Sequence, residues 1–209
     1  MRILIADDHA VLRQGLMLIL AQAFGQVEFG EAADSRQTVE AVLKEHWDLV
    51  ILDLSMPGRN GLDALKELKA QRPALPVLVL SMHPEQQYAV RAFRSGAAGY
   101  LTKANASAEL VKAVERILAG GRYVSAALGE ELASELGSPA CALLHEKLSD
   151  REFEILRLIA SGRTVKEIAA ELTLSANTIS TYRARILEKM KMRTSAELTH
   201  YAISNGLVE

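Results

Sequence analysis

The first 120 residues alternate short apolar runs with segments in which apolar residues recur every three or four positions. Three of the runs, at 3–5, 49–52 and 77–80, are almost continuously apolar, which is typical of strands buried on both faces. Strands that alternate with helices predict βα units around a parallel sheet. We therefore expect a doubly wound α/β domain with strands at 2–7, 27–31, 49–53, 77–81 and 99–101.

The helical patterns of this domain lie at about 11–19, 36–46, 61–71, 85–95 and 107–119. Gly120 and Gly121 end the last of them. The next segment, 121–147, has weaker patterning and contains Gly129, Gly137 and Pro139, so it is interpreted as a linker with some helix. The expected domain limits are therefore 1–120, 121–147 for the linker, and 148–209.

From residue 148 onward the strand pattern disappears and helix start signals replace it. Ser149, Thr164 and Thr194 are each followed three residues later by Glu, the spacing of the capping box that closes a helix N-terminus. Ser175 can cap a further helix through its hydroxyl alone. We expect a small all-α domain with helices at about 150–161, 165–172, 176–190 and 195–205.

The net charge of the chain is −2, but the positive charge is local. Residues 175–193 hold five Lys or Arg and one Glu, the balance expected of a helix that faces phosphates. Acidic residues appear as early as Asp7, there is a single cysteine, Cys141, and no apolar run is long enough to span a membrane. We expect a cytoplasmic protein with no signal peptide, membrane contact or internal disulfide.

Polar side chains follow four of the five predicted strands. The first strand ends at Asp7 and Asp8, the third at Asp53 and the fourth at Ser81, and Lys103 follows the fifth. These side chains should converge, because the carboxyl ends of parallel strands meet at one edge of the sheet. Clustered carboxylates favour a hard cation such as Mg²⁺. A carboxylate beside such a metal can attack phosphorus and give an aspartyl phosphate.

The helices predicted at 165–172 and 176–190 are joined by residues 173–175, a connection of the length that a helix-turn-helix requires. Ile179, Ile186 and Leu187 give the second helix a packing face. Its other positions carry side chains of the types that bond phosphates and base edges: Asn177, Thr178, Ser180, Thr181, Arg183, Arg185 and Lys189.

The first domain resembles the receiver domain of two-component systems, which has the flavodoxin-like strand order 2-1-3-4-5. The resemblance of residues 1–120 is carried by the loop at 56–61, the segment at 96–101 and the strand-end residues Asp7, Asp8, Asp53, Ser81 and Lys103. The pattern from Leu148 to Met190 resembles the LuxR-type four-helix DNA-binding domain. The combination is similar to the NarL/FixJ family of response regulators. Ile179, Ser180, Thr181, Tyr182 and Ala184 depart from residues that are common in relatives, which leaves the operator sequence open.

The resemblance implies a role for each site residue of the first domain. Asp53 is the phosphoacceptor, Mg²⁺ is held by Asp8, Asp53 and the backbone carbonyl of Ser55 with Asp7 acting through water, and the phosphoryl contact and switch residues are Lys103, Ser81 and Tyr100. In the second domain it implies phosphate contacts from Lys166, Arg183, Arg185 and Lys189 and base readout from Ser180, Thr181 and Arg183.

The resemblance also implies a mechanism. A sensor histidine kinase donates a phosphoryl group to Asp53, the last helices of the receiver shift, and a homodimer binds double-stranded DNA, with the helix at 195–205 helping to form the dimer. Such a chain is a phosphoacceptor regulator and not an enzyme, apart from self-phosphorylation and slow self-dephosphorylation.

Three alternatives are open at this point. An Asp-nucleophile phosphatase usually has a second Asp two residues after the first, where this chain has Ser55. A flavodoxin-like nucleotide or flavin site needs a phosphate-cradling loop after the first strand, where Asp7 and Asp8 would repel phosphate. A regulator that works without metal would not need the acidic cluster. His9 follows that cluster, but as a nitrogen ligand it suits Mg²⁺ poorly and is interpreted as a first-turn helix residue.

Overall fold

The computed structural model describes residues 1–56, 61–82, 85–125, 128–129 and 143–208, without the side chains at 86 and 87. Loop residues 57–60, His83 and Cys141 therefore lie outside the described residues. The chain divides into two compact units, Met1–Ser138 and Pro139–Glu209. Within the described ranges, no helix combines the length and the apolar composition needed to cross a bilayer.

In the described part of the first unit, five parallel strands form one sheet in the order β2-β1-β3-β4-β5. Every residue of β3 and β4 is buried, as the continuous apolar runs predict. The predicted fold class and strand order are thus confirmed. The strands are β1 (Arg2–Ala6), β2 (Glu28–Ala32), β3 (Leu49–Asp53), β4 (Val77–Ser81) and β5 (Gly99–Thr102).

Helices cover both faces of this sheet. Leu16 of α1 and Leu110 of α5 share a core with Ile5 of β1 on one face. Leu4, which alternates with Ile5 and points to the other face, is also fully buried. Polar side chains are therefore left to the edges of the sheet, where the strands end. The helices are α1 (Ala10–Phe24), α2 (Ser35–Lys44), α3 (Gly61–Gln71), α4 (Glu85–Arg94) and α5 (Ala106–Leu118).

After a 3₁₀ helix at Leu144–Lys147, the described residues of the second unit form four α-helices: α6 (Asp150–Ala160), α7 (Val165–Glu171), α8 (Ala176–Met190) and α9 (Ser195–Ser204). Their core is apolar, with Phe153, Ile168, Ile179 and Leu198 almost completely buried. α6 contacts all three of the other helices, so it is the centre of this unit.

Capping boxes start two of these helices as the sequence predicts. At Ser149 and Thr164 the side chain accepts from the third helical N–H, and the Glu three residues on accepts from the cap N–H. At Thr194 only the first half forms, because Glu197 accepts instead from the N–H of Arg193. The φ angle of Thr194 is −132°, against −61° and −75° at the two other caps.

Thr173, in the turn between α7 and α8, has a φ angle of 54°. A β-branched residue is strained in this left-handed region. Thr173→Gly should stabilise the second unit by about 0.5–1 kcal/mol, because glycine relieves the strain but loses more chain entropy on folding. The gain is measured by thermal unfolding of the intact chain. Amide exchange in α7 and α8 reports the stability of the second unit. Thr173→Ala is the matched control and should give no comparable gain, since it retains a Cβ; equal gains would contradict the strain argument.

Candidate functional site

The four polar strand ends meet at one edge of the sheet. Asp7 and Asp8 follow β1, Asp53 and Ser81 are the last residues of β3 and β4, and Lys103 follows β5. Gly61 lets α3 begin against this edge, because a Cβ there would collide with the backbone of Leu54. The sheet topology alone therefore places three carboxylates, a hydroxyl and an ammonium at one rim.

Lys103 bridges two of the carboxylates. Its Nζ lies 2.7 Å from Asp7 Oδ2 and 2.8 Å from Asp53 Oδ2. All three side chains are buried, with 7% of the Lys103 side chain exposed, 1% of Asp7 and none of Asp53. A cation held between two buried carboxylates can also neutralise a phosphoryl group that arrives there.

Burial and charge shift the pKa values of both Lys103 and Asp53. Burial raises the pKa of the Asp53 carboxyl above its ordinary value, and the hydrogen bond from Lys103 offsets this only in part. Burial acts to lower the pKa of the Lys103 ammonium, but its hydrogen bond to Asp53 and its close approach to the Asp7 carboxylate outweigh burial and raise that pKa. Lys103 is therefore charged at neutral pH, and Asp53 is a more basic carboxylate than an exposed aspartate.

The residues present fit a hard metal ion. Asp7, Asp8, His9 and Asp53 each offer a ligand atom, and these atoms lie within 4.8 Å of one another. Asp7 Oδ2 is buried and accepts no well-aligned hydrogen bond from the described residues, although Lys103 is near. Oxygen ligands of this kind suit Mg²⁺. Ser55, whose carbonyl the resemblance assigns to the metal, lies beside the cluster and donates its N–H to Asp53 Oδ1 at 3.0 Å.

Two residues near the cluster have contacts that the sequence did not reveal. His9 stands at the N-cap of α1, just before the first turn expected for it, with Nδ1 at 3.0 Å from Asp7 Oδ1 and 2.8 Å from Asp8 Oδ1. Arg13 donates to the backbone carbonyl of Asp7 at 2.6 Å and to Glu31 at 2.7 Å. The sequence did offer one signal for Arg13, because it is a cation one turn into the helix that follows the acidic pair.

The two predicted switch residues are both fully buried. Ser81 ends β4 and pairs in register with Thr102 of β5, so its hydroxyl lies at the same strand-end edge as Asp53. Tyr100, two residues earlier on β5, pairs with Val79. In this structure the Tyr100 ring is inside the fold.

The predicted DNA-contacting residues lie mostly on one exposed surface. Helix α8 exposes Asn177, Ser180, Thr181, Arg183, Arg185 and Lys189, Thr178 is half-buried, and Lys166 is exposed on α7. Ile179 and Ile186 bury the opposite side of α8. The hydroxyls of Ser180 and Thr181 both donate to the carbonyl four residues earlier, each at 3.0 Å, which leaves their oxygens available as acceptors.

Lys189 differs from the other cations of this surface. Its Nζ lies 2.6 Å from Glu152 Oε2, and the Glu152 side chain is 4% exposed. The same carboxylate accepts from the N–H of Ser149 and so closes the first capping box. Burial alone would raise the pKa of Glu152, but the bonds from Lys189 and Ser149 hold it below its ordinary value. Lys189 thus has a structural partner within its own unit.

Family comparisons agree with the division of the chain into two units. Residues 3–115 match the family described as response regulator receiver domain. Residues 146–202 match the family described as bacterial regulatory proteins, luxR family.

Individual relatives match along nearly the whole chain. The response regulator UvrY of Escherichia coli K12 is 33% identical over 206 residues, which is 98% of this chain and 94% of UvrY. The response regulator GacA of Pseudomonas aeruginosa is 33% identical over 212 residues, with 100% and 98% coverage.

A solved structure of RcsB from Salmonella enterica serovar Typhimurium, bound to promoter rprA in the presence of the phosphomimetic BeF₃⁻, is 30% identical. It has a TM-score of 0.65 and covers 98% of this chain and 99% of its own. The chain therefore belongs to the NarL/FixJ family of response regulators, with a receiver domain followed by a LuxR-type helix-turn-helix domain.

Proposed function

We propose that this response regulator acts in the cytoplasm, receives a phosphoryl group on Asp53 from a sensor histidine kinase, and in response binds DNA as a dimer through α8. The observation that carries the proposal is the placement of Lys103 between Asp7 and Asp53, two buried carboxylates at the ends of neighbouring strands. An ordinary structural ion pair would need one carboxylate, not two.

The chemistry follows from the residues at the strand ends. Asp53 forms a bond from a carboxylate oxygen to the donor's phosphorus, and the donor's leaving group departs with its electron pair. Lys103 would neutralise charge on the transferred group, and the Ser81 hydroxyl would donate to one of its oxygens. Mg²⁺, held by Asp8, Asp53 and the Ser55 carbonyl, with Asp7 acting through water, would neutralise phosphoryl oxygens and the clustered carboxylates. Ser55, where a phosphatase would have its second Asp, supports a regulator with slow self-dephosphorylation.

The DNA half of the proposal rests on the exposed surface of α8 and on the relatives. RcsB, which resembles this chain over nearly its whole length, has been solved bound to a promoter. We place α8 in the major groove, with Ser180 and Thr181 towards base edges and Arg183, Arg185 and Lys166 towards phosphates. Two copies would reach half-sites about 34–36 Å apart. The predicted role of α9 in forming the dimer belongs to the same proposal.

The salt dependence of DNA binding tests this assignment. Each phosphate contact contributes about 0.9 to the slope of log affinity against log salt concentration. Arg185→Ala should reduce that slope by about 0.9 on a random-sequence duplex. Lys189→Ala should reduce it by less, because the Lys189 ammonium already neutralises Glu152.

Binding of the intact chain is measured by fluorescence anisotropy over a salt series. Lys112→Ala, which removes an exposed cation from α5 of the receiver, is the control and should leave the slope unchanged. Equal reductions for Arg185→Ala and Lys189→Ala would mean that Lys189 leaves Glu152 for a phosphate. An unchanged slope in Arg185→Ala would contradict the placement of α8.

A further inference from the structure

The start of the predicted linker is bound to the receiver by specific contacts. Tyr123 pairs with Gly99 as a parallel bridge and donates its N–H to Ala98 at 2.9 Å, so the chain runs beside β5 in the same direction. Tyr123 belongs to the receiver core and its hydroxyl donates to Glu109 of α5 at 2.8 Å. Burial, together with the Glu109 carboxylate, raises the pKa of Tyr123 to about 12, so this anchor does not titrate near neutral pH.

Two residues later, Ser125 makes a second and different contact. Its hydroxyl donates to Glu85 Oε2, on the first residue of α4. Its oxygen accepts the N–H of Leu128 at 3.2 Å, and its carbonyl accepts the N–H of Gly129 at 2.9 Å. Leu128 is fully buried, and Ser125 therefore links two later described residues, Leu128 and Gly129, to its own contact with α4.

The Ser125 contact, unlike the Tyr123 anchor, involves a buried carboxylate oxygen that has no hydrogen-bond partner among the described residues. Glu85 is 7% exposed, and its second carboxylate oxygen, Oε1, is buried with no hydrogen-bond partner among the described residues. Burying a carboxylate oxygen without a hydrogen bond costs free energy, and this cost offsets the free energy gained from the hydrogen bond at the other oxygen. Opening the contact would let Glu85 Oε1 gain a hydrogen bond from water, so the closed arrangement carries a cost that opening relieves.

Glu85 is also close in sequence to the phosphorylation site. It begins α4 only four residues after Ser81, which ends β4 at the acidic edge. Tyr123, in contrast, is fixed to β5 and α5, so a movement of the start of α4 shifts Glu85 relative to Ser125.

We propose that the Ser125–Glu85 contact is a latch, closed in the unphosphorylated receiver and opened when Ser81 moves towards a phosphoryl group on Asp53. Opening releases the chain after Tyr123, while the Tyr123 anchor is kept. Ser125, Leu128 and Gly129 then leave the receiver, and each residue released lengthens the linker by roughly 3.3 Å when extended. The proposal rests on the function proposed above and assigns its regulation to residues that lie beyond the acidic site.

Hydrogen exchange at the amides of Leu128 and Gly129, measured by NMR on the intact chain, tests the latch. In the wild type, beryllofluoride with Mg²⁺ should speed exchange at both amides about tenfold, as for the loss of a charge-assisted hydrogen bond. Glu85→Ala should speed it similarly without beryllofluoride and respond less than about twofold to its addition, because the contact is already lost. Unchanged exchange at Ile51, in the buried centre of β3, shows that the variant remains folded.

Tyr123→Phe is the matched control, since it keeps the buried ring but loses the bond to Glu109. It should retain the full response to beryllofluoride. The latch is wrong if beryllofluoride protects the amide of Ser55, beside Asp53, yet leaves Leu128 and Gly129 unchanged in the wild type. If the amide of Ser55 does not respond either, the phosphoacceptor proposal fails and the latch fails with it.

Discussion

Asp53→Asn is expected to abolish phosphorylation of the chain by a small donor such as acetyl phosphate. The amide keeps the shape of the buried side chain but is not a nucleophile towards phosphorus, so labelling should fall by more than about 100-fold. The phosphoryl group on the wild type should behave as an acyl phosphate and be released by hydroxylamine. Phosphate-affinity electrophoresis of the intact chain measures both effects.

Asp63→Asn is the matched control, because Asp63 is an exposed aspartate on α3 of the same receiver. It should label like the wild type. Removal of divalent metal with EDTA should suppress labelling of both, since the carboxylates at the strand ends repel an incoming phosphate unless a cation neutralises them. Label that persists in Asp53→Asn would assign the phosphoacceptor to another residue, and full labelling in EDTA would support the metal-independent regulator.

The convergence of the acidic site was predictable because it depends on topology alone. Once β1, β3, β4 and β5 are parallel strands of one sheet, the residues after them must share an edge, wherever their side chains point. The contact between Lys103 and Asp7 depends in addition on rotamers and burial, which sequence spacing does not encode. For the same reason the bond from Arg13 to the Asp7 carbonyl was missed: it joins a helix side chain to a strand-end backbone atom.

The linker and Lys189 show a different limit. Composition identified 121–147 as weakly patterned, but Tyr123 is buried in the receiver core through a single bridge and one hydroxyl, signals too short for a periodicity. Lys189 has the residue type and position expected of a phosphate contact, and charge counting cannot show that a buried Glu 37 residues away in sequence already holds it. In both cases the role of a residue is determined by a contact with a residue distant in sequence, which a local sequence pattern does not show.

Glu152→Ala is expected to destabilise the DNA-binding unit by about 2–3 kcal/mol, from the combined loss of a helix cap and of a partly exposed ion pair. The single carboxylate accepts from the N–H of Ser149 and pairs with Lys189, so it joins the start of α6 to the end of α8. Amide exchange in α6 and α8 of the intact chain measures the change. Glu171→Gln, at the exposed end of α7, is the control and should stay within about 0.5 kcal/mol of the wild type.

Glu152→Gln separates the charge from the cap, since it can still accept from Ser149. The folded unit holds the pKa of Glu152 below its unfolded value of 4.5, so the ionised carboxylate stabilises the fold above that pH. This stabilisation is lost as the pH falls from 4.5 through the lower folded pKa. Glu152→Gln should therefore be less stable than the wild type at pH 7 by about 1 kcal/mol and lose less stability on acidification. Parallel acid-unfolding curves for the two proteins would mean that the Glu152–Lys189 pair does not contribute to folding, and Lys189 would then be free to serve DNA phosphates.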